Sequence, residues 1–132
     1  MLNARTKALF DAVKVGSSQA ISRLIEKGVS PDVRDEEGKT ALMVASERAY
    51  DTIICILIEA GADVNAQGPF GATPLMYAAG YGRYETVKLL LQKGADANAK
   101  TTGMYPSTAA FGASANNHDN IVELLNGAEE IP

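Results

Sequence analysis

The sequence predicts an all-α solenoid of four helix-turn-helix units joined by extended β-turn tips, and three observations predict it. "GADVNA" at residues 61–66 returns as "GADANA" at 94–99, and "GKTALM" at 38–43 returns as "GATPLM" at 71–76, each after 33 residues. Leu24, Leu57 and Leu90 keep the same step, as do Ala12, Ala45 and Ala78. Between these markers apolar residues recur at helical spacing, as in Val87, Leu90 and Leu91. Such a period marks stacked supersecondary units, none of which buries a core alone.

Unit one, approximately residues 5–33, is the least regular. Its "GVSPDV" from Gly28 is a weak copy of the later loops, and polar Arg23 stands where Ile56 and Leu89 stand in the middle units. Unit two, 34–66, opens its first helix at Thr40, whose hydroxyl can accept an orphan N–H. Ala45 and Ser46 are small enough for close helix pairing, Ala49 replaces the turn glycine (Gly16 in unit one), and "TIICILI" from Thr52 forms the second helix. Gly61 then stops that helix in the left-handed conformation, as Gly28 and Gly94 do in their units. Unit three, 67–99, repeats this grammar with Thr73, Pro74 at the first helical position, Ala78-Ala79 and Gly82.

Unit four, 100–128, obeys a step of 35 rather than 33, carrying Thr73 to Thr108, Ala78 to Ala113, Ala79 to Ser114 and Val87 to Val122. Gly82 maps to Asn117, a residue that tolerates left-handed geometry. The two extra residues lie in the leading turn, "KTTGMYPS". Asn126 replaces Leu91 and Glu129 replaces the stopping glycine, so units one and four read as polar-faced caps of a single domain, complete at four units over residues 1–132.

"GATPLMYAAGYGRYETVKLLLQKGADANA", and nearly as well "GKTALMVAS" with its "GADVN", resemble the ankyrin repeat, and the resemblance covers almost the whole chain. One position departs from it. The histidine of the T-P-L-H motif is Phe10, Met43 and Met76 here, which predicts apolar packing in place of its hydrogen bonds. The resemblance implies a protein-protein interaction module, an adaptor or a regulatory or inhibitory partner, that binds another protein through its concave face and turn tips.

Composition narrows the function further. A net charge of −4, with no basic residue after Lys100, argues against nucleic acid or an anionic membrane as partner. Cys55 is the only cysteine, which excludes an internal disulfide and fits a reducing compartment. No signal core and no apolar run near the roughly 18 residues of a membrane span is present. A cytoplasmic monomer is expected.

Two alternatives arise from particular residues. Ser114, His118 and Asp119 invite a small hydrolase, but the repeat register assigns Ser114 to helix packing, His118 to the start of a second helix, and Asp119 to its first turn. No oxyanion or nucleophile motif accompanies them, and one histidine with one cysteine supplies no metal site, so neither catalysis nor a cofactor is expected. Cys55, at an outward position of the apolar "TIICILI" helix, points instead to self-association.

Helix spacing and position-wise transfer from the resemblance define the candidate partner-binding residues. Tyr77, Gly80 and Tyr81 share one helix face in unit three, matched by Val44, Glu47 and Arg48 in unit two and by Gly112, Ala115 and Asn116 in unit four. The tips supply Glu36, Glu37 and Lys39, then Phe70, then Met104 and Tyr105. Phe70, Tyr77, Tyr81, Met104 and Tyr105 are expected to form an aromatic patch with an acidic tip beside it.

Overall fold

A computed structural model describes the backbone of residues 3–130 and the side chains of residues 3–128. Eight α-helices fall into four antiparallel pairs: α1 (Ala4–Val15) with α2 (Ser18–Glu26), α3 (Ala41–Glu47) with α4 (Asp51–Glu59), α5 (Pro74–Gly80) with α6 (Tyr84–Gln92), and α7 (Ala109–Ala115) with α8 (Asp119–Glu130). The first helices of the pairs pack side by side as an inner layer, α1 to α3 to α5 to α7, and the second helices form the outer layer.

The local signals explain where each helix starts. Thr40, Thr73 and Thr108 adopt extended backbone, and their hydroxyls accept the N–H of Met43, Met76 and Phe111 at 3.3–3.4 Å. Helix α1 differs: it begins at Ala4 under an Asn3 cap and is 12 residues long where α3 has 7. The turn between paired helices is left-handed in all four units, at Gly16, Ala49, Gly82 and Asn117. Three of these residues suit that geometry, whereas Ala49, at φ 59°, sits there with a Cβ and is strained.

Between the layers lies one apolar core in which Leu9, Val13, Ile21, Leu42, Ile54, Leu57, Leu75, Leu90, Ile121 and Leu125 are essentially inaccessible. Leu57, Leu90 and Leu125 occupy one position of the repeat, while Leu24, at the edge of the array, is only partly buried. As its register position predicts, Arg23 is exposed, and so is Asn126. Ser114 departs from expectation. Ala79 and Ser46 at its repeat position are fully buried, but Ser114 is exposed, because among the described residues no further inner helix packs on α7 as α7 packs on α5.

Met43 also corrects the simple apolar reading of the T-P-L-H position. Its side chain is buried, but its sulfur accepts the backbone N–H of Thr40 at 3.4 Å, closing a reciprocal cap with the Thr40 hydroxyl. Phe10 is buried, Met76 is half-buried and Phe111 is exposed.

Hydrogen bonds stitch neighbouring units together below the helices. In the loop of unit two the Asp63 carboxylate accepts the N–H of Asn65, orienting the Asn65 amide toward unit three. There its Oδ1 accepts the N–H of Asp96 at 2.8 Å and its Nδ2 donates to the Gly94 carbonyl at 3.2 Å. Asp32 performs the accepting half of this task for Asp63 N. The recurrence of Asp-x-Asn in "GADVNA" and "GADANA" is thus a joint between units. In the outer layer, the hydroxyl of buried Thr86 donates to Asp51 at 2.7 Å, joining α6 to α4.

Candidate protein-binding surface

The inner helices and the tips that precede them form the surface on which the sequence places its candidate residues. The first tip is held by Asp35, whose carboxylate accepts the N–H groups of Glu37 and Lys39 at 2.9 Å, and by an antiparallel bridge between Arg34 and Thr40. Glu36 and Glu37 are exposed at its apex. Arg34 continues outward, donating to Gly38 O and to Gln67 O of the second tip at 2.8 Å each.

The second tip is a 3-10 turn, Pro69–Gly71, in which Phe70 has φ 57° and is 85 % exposed. A bulky residue in the left-handed region that makes no use of burial is a strained conformation. Gly71 follows because the third tip comes so close that a Cβ would lie 2.8 Å from Thr102 N. That approach lets Thr102 N–H donate to Phe70 O at 2.8 Å, tying the tips together. The lengthened third tip closes between Thr101 and Ser107 through two 2.9 Å hydrogen bonds, and leaves Met104 and Tyr105 exposed at 84 % and 86 %.

Behind the apices, Lys39 of the first tip, Glu47 of α3 and Tyr77 of α5 come together across units two and three. The Lys39 ammonium pairs with the Glu47 carboxylate and lies 4.9 Å from the centre of the Tyr77 ring. Burial opposes the Lys39 charge, but the hydrogen bond and charge of Glu47 outweigh it and raise the lysine above its ordinary value. Burial raises the Tyr77 phenol as well, with Lys39 offsetting part of the rise. These three candidates are therefore engaged with one another, and Tyr77 is half-buried. Arg48, exposed, donates to Lys14 O at 3.1 Å, as Arg83 does to Glu47 O at 3.0 Å.

Further along, Tyr77, Gly80 and Tyr81 line a depression of about 660 Å³ with Met76, Asn116 and His118. Tyr81 is 58 % exposed. Neither Phe70, Met104 nor Tyr105 lines this depression; they stand on the tips. Sequence reasoning set His118 aside, and its contribution follows from Gly82. The imidazole lies against that glycine so closely that a Cβ would be 2.6 Å from Cε1. Tyr50 stacks similarly on Gly16, so each ring covers the turn of the preceding unit. The periodic signal that could have revealed this is the residue one place after the left-handed turn. Ser114 is exposed on the adjoining helix, and among the described hydrogen bonds its carbonyl serves the turn by accepting Asn117 N–H at 3.0 Å.

Cys55 is half-buried and lines a shallow recess between α4 and α6 with Asp51, Lys88 and Leu89. Among the described residues no helix is long and apolar enough to cross a membrane. A family model described as ankyrin repeats (3 copies) matches residues 2–68, and a second, ankyrin repeats (many copies), matches residues 57–110.

Proposed function

The chain belongs to the ankyrin-repeat family, whose members are generally protein-protein interaction modules, and from that premise we propose that it is an adaptor or regulatory partner with no chemistry of its own. Its partner is another protein, engaged through the inner face and tips of units three and four. One observation carries this reading. Among the described residues, the exposed large apolar side chains are Val15, Phe70, Tyr81, Met104, Tyr105 and Phe111, so all but Val15 belong to the last two units. Large rings with two rotatable bonds bury much area at low entropic cost, which is what an interface anchor needs.

The strain at Phe70 supports the same reading. Glycine there would relieve the backbone, yet the position holds a ring directed at solvent. Affinity capture from native lysate tests the proposal, with wild type compared against a Phe70→Ala, Tyr77→Ala, Tyr81→Ala triple variant. Partners that vanish with the variant, at equal thermal unfolding, are the expected outcome. A variant that keeps every partner, alongside a turnover abolished by His118→Ala, would replace the adaptor by an enzyme.

A further inference from the structure

The outer layer, on the opposite side of the molecule, carries a groove of its own. Between α6 and α8 runs a groove of about 790 Å³, floored by Leu91, Ala95, Leu124 and Ala128 and bordered by Asn98. Two features of unit four open it. Gly127 and Ala128 stand at the repeat positions of Gln92 and Lys93, so the long side chains that unit three presents are absent. In addition, α6 ends at Gln92 and turns back through Gly94, whereas α8 continues to Glu130.

The molecule itself displays what fills this position elsewhere. In unit three the returning segment, residues 94–96, is gripped by Asn65 of unit two, which accepts Asp96 N–H and donates to Gly94 O. In unit two the equivalent segment offers Asp63 N–H to Asp32. Asn98 is the next residue in this series. The same Asp-x-Asn turn presents it, with the Asp96 carboxylate accepting Asn98 N–H at 2.9 Å, as Asp63 does for Asn65. Among the described hydrogen bonds none is made by the Asn98 side chain, and Asn98 borders the groove.

We infer that this groove receives an extended segment of a partner protein with Gly-small-Asp chemistry, its backbone N–H and C=O paired with the Asn98 amide and its small apolar side chain seated among Leu91, Ala95 and Leu124. The groove continues the seam that already joins units one, two and three, so the occupant is defined by the segments seated upstream. Charged or bulky side chains at the small position do not fit that pattern. The surface is separate from the inner face, so it gives the protein a second partner site.

The probe is a blocked synthetic hexapeptide, Gly-Ala-Asp-Ala-Asn-Ala, titrated into the full ¹⁵N-labelled chain and followed by amide shifts. Saturable shifts at Asn98, Gly127 and Ala128 are expected, absent with a peptide carrying Glu in place of the first Ala. Asn98→Ala weakens the peptide about tenfold, the worth of one to two lost hydrogen bonds. Gly127→Gln with Ala128→Lys, which restores the side chains of unit three, abolishes binding while leaving thermal unfolding intact. Absence of shifts on wild type, shifts confined to the inner face, or equal binding by the filled variant would each overturn the proposal. Binding that emerges only after removal of residues 131–132 would assign the groove to the chain's own end and overturn it equally.

Discussion

The two halves of the inner face answer the same scaffold with opposite chemistry. In units one and two the charges are largely spent inside the chain: Lys39 on Glu47 and Tyr77, Arg48 on the Lys14 carbonyl, Lys7 on Asp11, Arg34 on two tip carbonyls. From Thr101 to His118, by contrast, the chain carries no Asp, Glu, Lys or Arg, and it leaves Met104, Tyr105 and Phe111 to solvent. A surface whose polar groups already satisfy each other has little to offer a partner beyond screened charge. A surface that leaves aromatic area wet gains by covering it. On the function proposed above, the first half is the frame and the second the site of contact.

The largest effect tests whether this division reaches the core. Leu57 and Leu90 are both inaccessible at one repeat position, one in each half. Leu57→Ala and Leu90→Ala are expected to cost alike, about 2–5 kcal/mol each in chemical unfolding. Leu24→Ala, at the edge, is expected to cost clearly less. A large inequality between the two central variants would extend the contrast from surface to interior.

Binding should separate the halves next. Tyr81→Ala is expected to cost roughly 1–3 kcal/mol of partner affinity at unchanged stability, as truncated anchors do. Glu36→Gln with Glu37→Gln is expected to change affinity by less than about 1 kcal/mol, and chiefly at low salt. Calorimetric titration at two ionic strengths measures both, and a reversal of the two magnitudes would exchange the roles of the halves.

Smaller still are the effects of two left-handed residues. Ala49→Gly and Phe70→Gly are each expected to stabilise the fold by about 0.5–1 kcal/mol, since glycine removes the steric cost at some entropic expense. Only the second should weaken partner binding, and thermal unfolding paired with a binding assay tells them apart.

The smallest effect is alkaline. The pKa values of Lys39 and Tyr77 are both raised above their ordinary 10.5 and 10.0 on folding. Their contribution is therefore complete below those values and is lost as pH rises through the folded ones. Urea unfolding at pH 9 and pH 11 should show a loss that shrinks in the Lys39→Met, Tyr77→Phe double variant, which removes both raised groups.

Sequence reasoning read the frame well, because the frame is built from local rules that recur. Threonine caps, left-handed turns and the two-residue expansion all follow from composition at one period, and the step of 35 places α7 correctly at Ala109. What escaped is what depends on a neighbour. Helix spacing puts Tyr77 and Tyr81 on one face, but only packing shows that Lys39 and Glu47 of the preceding unit hold Tyr77. Ser114 reads as buried from its register, and is exposed because burial there is conferred by the next unit. In Pro-Phe-Gly the glycine draws the eye for a left-handed turn, whereas both Phe70 and Gly71 adopt one. The thioether cap of Met43 was invisible, since sulfur reads as apolar in any periodicity argument.

The stitching between units carries a mechanical consequence. The cross-unit hydrogen bonds join residues only 29 to 36 apart in sequence, as in Asn65 with Gly94 and Arg83 with Glu47. A force applied between the chain ends therefore meets these bonds in series and never loads two seams against each other. Pulling on the molecule should peel it from an end in steps, each releasing one 33-residue unit, as spaced by Arg34 and Gln67, and about 110 Å of slack at full extension. Such a chain yields as a soft spring, gradually and reversibly, rather than as a clasp.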